Sequence, residues 1–325
     1  MSEKKIIAVV GATGAQGGGL ARAVLADPDG PFALRALTRN PDSAAARDLA
    51  ARGAEVVQAD LDDESSIRKA FNGAHGAFVV TNFWAPRTPE EEAASTRAEM
   101  EFRQASTAAR AAKDAGLRHV VWSTLEDTRP HFARLGSDVP DLFGGYKVPH
   151  FDAKGEANAV FTDLGVPTTF LQTTFYYEAF VVGGQGPRRD ERGGLALTIP
   201  MADARMSLIA AEDIGRTALG ILRRGAEFVG RTVSIAGTHA TGVELAATFT
   251  AVLGEEVVYR PVTHAEARAA GYPGAEEIAN TFQFFTEASE YFTGARDLDV
   301  VRGLNPDLEP LDAWLAAHKD EIPLG

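Results

Sequence analysis

Gly11-Ala12-Thr13-Gly14-Ala15-Gln16-Gly17 is the stretch whose reading decides the fold. Upstream of it, Ile6 to Val10 is a short, wholly apolar run, as expected of a strand buried on both faces. Downstream, Gly14 to Leu25 is rich in Ala and Leu and reads as a helix, closed by the turn residues Asp27-Pro28-Asp29-Gly30. A glycine string alone is a weak signal. Between an apolar strand and an Ala-rich helix it becomes a strong one. There the glycines permit a tight turn and let backbone amides approach a pyrophosphate seated on the helix N-terminus. Gly11, Thr13, Gly14, Ala15, Gln16 and Gly17 form that expected cradle.

The same strand–helix alternation continues outward. Phe32 to Thr38, Glu55 to Gln58, Ala77 to Val80, His119 to Trp122 and Thr168 to Leu171 read as strands. Ser43 to Arg52, Glu64 to Phe71 and a long run from Glu90 to Ala115 read as the helices between them. The pattern predicts a Rossmann-type α/β fold, a doubly wound parallel sheet over residues 1–172. Residues 173–325 are less regular, with strands at Leu195 to Ile199 and Thr232 to Ala236 and helices from Ala211 and from Gly242. They predict a smaller α+β lid domain, interleaved with the first.

Composition narrows the function. In 325 residues, 32 Lys and Arg face 45 Asp and Glu, a formal net charge of −13. That balance repels phosphate backbones and anionic lipid, so neither direct nucleic-acid binding nor membrane association is expected. There is no cysteine, which excludes disulfides and thiolate chemistry, and the seven histidines show no metal-ligand spacing. Met1-Ser2-Glu3-Lys4-Lys5 runs straight into the first strand without a signal-peptide pattern, so a cytoplasmic protein is expected. Glu90-Glu91-Glu92 and Glu276-Glu277 read as solvated helix faces. Phe282, Phe284, Phe285, Tyr291 and Phe292 read as core, with an exposed partner surface as the alternative.

The second strand's end discriminates between dinucleotides. A free ribose 2′-hydroxyl calls for an acid about twenty residues beyond the glycines, whereas Thr38-Arg39-Asn40-Pro41 offers a guanidinium suited to a 2′-phosphate. NADP(H) is therefore the expected cofactor. Asp60-Leu61, ending the third strand, and Thr81-Asn82-Phe83, following the fourth, would line the same crevice.

These residues, with Gly53-Ala54-Glu55-Val56-Val57-Gln58, Val80 to Trp84, His150-Phe151-Asp152-Ala153-Lys154-Gly155 and Gly271 to Ala275, resemble the NmrA-like family of atypical short-chain dehydrogenases/reductases, and within it the NADP(H) redox-sensor branch. The resemblance spans nearly the whole chain. It implies cofactor contacts at Gly11 to Gly17, Arg39, Asn40, Asp60, Leu61, Thr81 to Phe83, Lys154, and Tyr176, Tyr177 and Glu178 through Ala179. A helix lysine of that branch corresponds to Arg103 here, just after an insertion over residues 86–100.

Ordinary members of the superfamily use a Tyr-x-x-x-Lys pair with a serine closing the fifth strand. Ser123 and Lys154 match, but His150 stands where the tyrosine belongs, and Pro149 interrupts any helix joining Tyr146 to it. An imidazole can relay a proton, so His150, Lys154 and Ser123 are the candidate catalytic set. Two functions stay open: a nucleotide-sensing regulator acting on a protein partner, and an NADPH-dependent reductase of a small carbonyl, quinone or imine-like substrate. A homodimer is compatible with either.

Overall fold

The computed structural model describes residues 3–325; Met1 and Ser2, the first residues of the start segment read above, lie outside the described residues. The chain divides into two compact units. Of the described residues, the first comprises 3–127, 149–172 and 212–233; the second comprises 128–148, 173–211 and 234–325. Relative to the sequence division at 172/173, residues 128–148 belong to the second unit and 212–233 to the first.

The first unit is an α/β structure. Its elements are β1 (Lys5–Val10), α1 (Ala15–Leu25), β2 (Phe32–Thr38), α2 (Ala44–Ala51), β3 (Glu55–Gln58), α3 (Glu64–Phe71), β4 (Gly76–Val79), α4 (Pro89–Ala94), α5 (Arg97–Asp114), β5 (His119–Thr124), α6 (Pro149–Asp163), β6 (Thr168–Gln172), α7 (Ala211–Arg224) and β7 (Thr232–Ser234). The sheet order is β7-β6-β5-β4-β1-β2-β3. The pairs from β6 to β3 are all parallel, with Ile7 of β1 flanked by Leu34 on one side and Gly76 on the other. The strand order therefore reverses between β1 and β4, the position at which doubly wound sheets open a crevice beyond their carboxyl ends. The sequence predicts the seventh strand at Thr232 to Ala236, but as part of the second domain rather than as the edge of this sheet. It lies sixty residues past β6 in sequence and carries few apolar residues of its own.

Short apolar strands need two covered faces. One cover is α5, whose Ala105, Ala108, Ala109 and Ala112 are buried with Phe71, Trp122 and Phe161 in one cluster. The expected single helix from Glu90 to Ala115 is two helices. Ser95 and Thr96 are extended, and Thr88 with Glu91, then Thr96 with Glu99, each build a reciprocal capping box that starts a new helix.

The second unit holds two three-stranded sheets. One orders Thr238–Ala240, Met206–Ile209 and Phe175–Tyr176; the other orders Val257–Tyr259, Leu195–Leu197 and Arg188–Arg189. Phe282, Phe284, Phe285 and Phe292 are buried, whereas Tyr291 is 43% exposed and so departs from the core reading. Glu277 departs in the opposite sense: it is buried on the helix Ala275–Glu287, while Glu276 is solvated as expected. No helix among the described residues is long and apolar enough to cross a membrane.

Candidate functional site

Gly11 adopts φ +65°, a left-handed turn that glycine takes at no steric penalty, and it turns the chain from β1 toward α1. A Cβ at Gly17 would overlap the Gly11 carbonyl, so that glycine is what lets the helix sit against the strand end. Gly14 is the N-cap of α1 and has no side chain to cap with, and the first turn carries no acid. Thr13, Gly14 and Ala15 are exposed. The first turn of this eleven-residue helix thus carries no side-chain cap, and the helix start, with the positive end of its dipole, is exposed beside the switch point. The donor set fits a pyrophosphate. Gln16, at the next position, accepts a hydrogen bond from Ser123 Oγ at 2.6 Å, tying the glycine loop to the end of β5.

At the end of β2, Arg39 is exposed, and its guanidinium makes no hydrogen bond or ion pair within the described chain. Arg35, four residues earlier, is by contrast fully engaged, donating to Glu55 and to the carbonyls of Ala70 and Asn72. Asn40 is exposed, with its Oδ1 accepting from the Asp42 amide at 3.0 Å. Asp60 is half-buried at the end of β3, and Leu61 is buried. Arg103 pairs with Asp62 at 3.0 Å on the surface, a bond weak enough to be exchanged.

Beyond β4, Thr81 is buried, Asn82 is exposed with its Oδ1 turning back to the Trp84 amide, and Phe83 is buried. His150 opens α6 amid aromatic rings: centroids of Phe83, Trp84 and Phe151 lie 5.7, 5.5 and 4.9 Å from its own. One turn later, Lys154 is buried. Its ammonium donates to Thr81 Oγ1 at 2.5 Å, to the Thr81 carbonyl at 3.2 Å, and to Glu101 on α5. Glu101 is a residue that sequence reading missed. The signal was available, because Glu101 shares a helical face with Ala105, Ala108 and Ala112, where a charge is out of place.

Tyr176, Tyr177 and Glu178 lie in the second unit. Tyr177 is fully buried against Trp314, with ring centroids 5.7 Å apart, so it is the core member of the tyrosine pair. Tyr176 is half-exposed, its hydroxyl 3.5 Å from Thr173 Oγ1. The Glu178 carboxylate is taken up by the Ala211 amide at 3.0 and 3.1 Å, and burial pushes its pKa above the usual glutamate range. The Tyr177 side chain is thus buried, whereas Glu178 is half-buried and both its carboxylate oxygens accept from a single backbone amide.

Residues 3–315 match the model of the NmrA-like family. An NmrA-like family domain-containing oxidoreductase from a Cladobotryum species is 32% identical over 307 residues, covering 88% of this chain and 86% of its own. Another from Penicillium ochrochloron is 27% identical over 348 residues, covering 96% and 97%. Among solved structures, NmrA, titled a negative transcriptional regulator and solved with NADP, superposes with a TM-score of 0.74 at 23% identity over 97% of this chain and 95% of that one. Triphenylmethane reductase of a Citrobacter species, solved with NADP(H), gives 0.69 at 22% over 96% and 99%. At these identities the two structures speak for the fold.

Proposed function

The chain belongs to the NmrA-like family, and from that premise we propose that it is an NADP(H)-binding oxidoreductase. The observation that carries the reading is the pairing of an uncapped α1 N-terminus with an unengaged Arg39 at the next strand end. The amides suit a pyrophosphate, and the guanidinium suits a 2′-phosphate through paired, charge-assisted donors. The sequence relatives named above carry the oxidoreductase part, since they cover most of both chains.

NADPH, when bound, would supply the hydride. The protein's part is then to hold the phosphates on α1, to set a fixed ammonium at the end of β4 through Lys154, and to offer an imidazole at His150 where a proton must reach the substrate. Substrates of the carbonyl, quinone or imine type fit that division of labour. A second reading, a nucleotide-sensing regulator, is favoured by one observation: the ammonium of Lys154 is wholly committed inside the protein.

Titration of the native protein and of Arg39→Ala with NADPH and NADH tests the assignment. Loss of one charged contact is expected to weaken NADPH by about ten- to a hundredfold and to leave NADH nearly unchanged. Equal binding of both cofactors by the native protein would refute the NADP(H) preference. NADPH oxidation against a panel of carbonyls, quinones and imines then separates reductase from regulator: no turnover with any of them favours the regulator.

A further inference from the structure

Glu101 is fully buried on an alanine face, and packing gives it no reason to be there. One of its carboxylate oxygens receives both the Lys154 ammonium and the Thr81 hydroxyl. The other, Oε2, is buried without any hydrogen-bond partner within the described chain. The three protons of Lys154 are all assigned, to Glu101, Thr81 Oγ1 and the Thr81 carbonyl, and the ammonium lies 5.3 Å from the centre of the Trp122 ring. A buried ion pair can often be exchanged for apolar residues of similar size with no loss of stability, and an orphaned oxygen makes this pair a poorer stabiliser still. The pair therefore asks for a role other than holding the fold.

Its position supplies one. With a pyrophosphate on α1 beside β1 and a 2′-phosphate at Arg39 beyond β2, the other half of a dinucleotide extends over β4, where Thr81 and Lys154 lie. We propose that Glu101 is the positioning residue for Lys154, balancing its buried charge and fixing the ammonium at the end of β4 for the nicotinamide-side ribose. The longest of the lysine's bonds, 3.2 Å to the Thr81 carbonyl, is the one a ribose hydroxyl can replace while Glu101 keeps its hold. This inference rests on the dinucleotide reading above.

The test is a double-mutant cycle of Glu101→Gln and Lys154→Met, read as affinity for NADPH and for adenosine 2′,5′-bisphosphate, which has no nicotinamide half. Each single variant should weaken NADPH about tenfold or more, and the double variant should be no weaker than the weaker single. Bisphosphate affinity should stay within about twofold throughout. Native NADPH affinity in Glu101→Gln, additive losses in the double variant, or an equal loss of bisphosphate would overturn the proposal. Should a single variant fail to fold, Glu101→Leu with Lys154→Met restores an apolar pair, and it should melt at or above the native temperature while losing NADPH but not the bisphosphate. If the native protein binds neither probe, the dinucleotide reading is what fails. The pinning of Lys154 is then decided by its acetylation rate, followed by mass spectrometry: several-fold faster in Glu101→Gln supports it, and an unchanged rate overturns it.

Discussion

At the scale of single residues, His119 and His150 of the first unit call for different tests. His119 is buried in β5, its Nε2 2.8 Å from Thr169 Oγ1 and its Nδ1 without a hydrogen-bond partner among the described residues. Burial, and then the neighbouring His75, push its pKa down from 6.5 to about 4. The folded protein thus holds it neutral where the unfolded chain would take up a proton. Stability conferred by the neutral ring is present above pH 6.5 and is lost progressively as pH falls toward 4, by up to about 3 kcal/mol. Denaturant midpoints measured between pH 7 and 4.5 should fall less steeply for His119→Gln than for the native protein, and parallel slopes would show that His119 is not the group responsible. His150 is different. Its ring already sits in an aromatic cluster, so His150→Phe should keep the packing of Phe83, Trp84 and Phe151 and leave NADPH affinity near native. If His150 delivers the proton, turnover should drop by about a hundredfold or more, whereas native turnover in the folded variant would assign the proton to another group.

At the scale of elements, glycines with one sequence signature do two different jobs. Gly14 is extended, and a Cβ there would lie 3.3 Å from the Gly11 carbonyl oxygen, a tight contact that a shift of a few tenths of an ångström in the loop would relieve. Gly14→Val should fold, and it should lose dinucleotide binding because its methyls fill the space over the amides. Unchanged NADPH affinity in that variant would remove the phosphates from α1. Gly19 and Gly215 instead bring α1 and α7 into backbone contact: a Cβ on Gly19 would overlap Glu212, and one on Gly215 would overlap Leu20 and Gln16. An alanine in a helix interior gains up to about 1 kcal/mol over glycine, but overpacking costs about 1–3 kcal/mol. The clash wins, so Gly215→Ala should lower the urea midpoint, and an unchanged or raised midpoint would refute the close crossing. The glycine loop and β1 to β6 were legible because apolar runs and turn residues are local signals. The helix break at Ser95 was missed, although two Thr-x-x-Glu boxes mark it. The membership of α7 in the first unit was not, because it depends on a backbone approach between residues nearly two hundred positions apart, as do the bonds of Arg22 to Glu212 at 3.0 Å and of Arg223 to Asp27 at 2.6 Å. Glu101 was half legible: its misfit on the alanine face can be read, its partner Lys154 cannot.

For the whole molecule, the consequence is that neither unit is a continuous piece of chain. Each unit is assembled from three segments, so the break at 172/173 that composition suggests does not release a finished first unit. A fragment of residues 1–172 would lack α7 and β7. It would lose the buried Ile214, Ala218, Leu219, Ile221 and Leu222, and strip the edge of β6, where the Phe170 amide donates to the Arg231 carbonyl at 2.9 Å. At about 1.5–3 kcal/mol for each large apolar side chain returned to water, the helix alone accounts for roughly 6–12 kcal/mol, as much as the net stability of an ordinary domain. The same fragment would also expose an unpaired strand edge, a template for association between chains. The expected behaviour of 1–172 is therefore no cooperative melting transition, a concentration-dependent association, and no NADPH binding, even though every expected phosphate contact of the glycine loop and Arg39 lies inside it. A monomeric 1–172 fragment that melts cooperatively and binds NADPH as the full chain does would show instead that α7 and β7 are accessories to a fold completed by its first six strands.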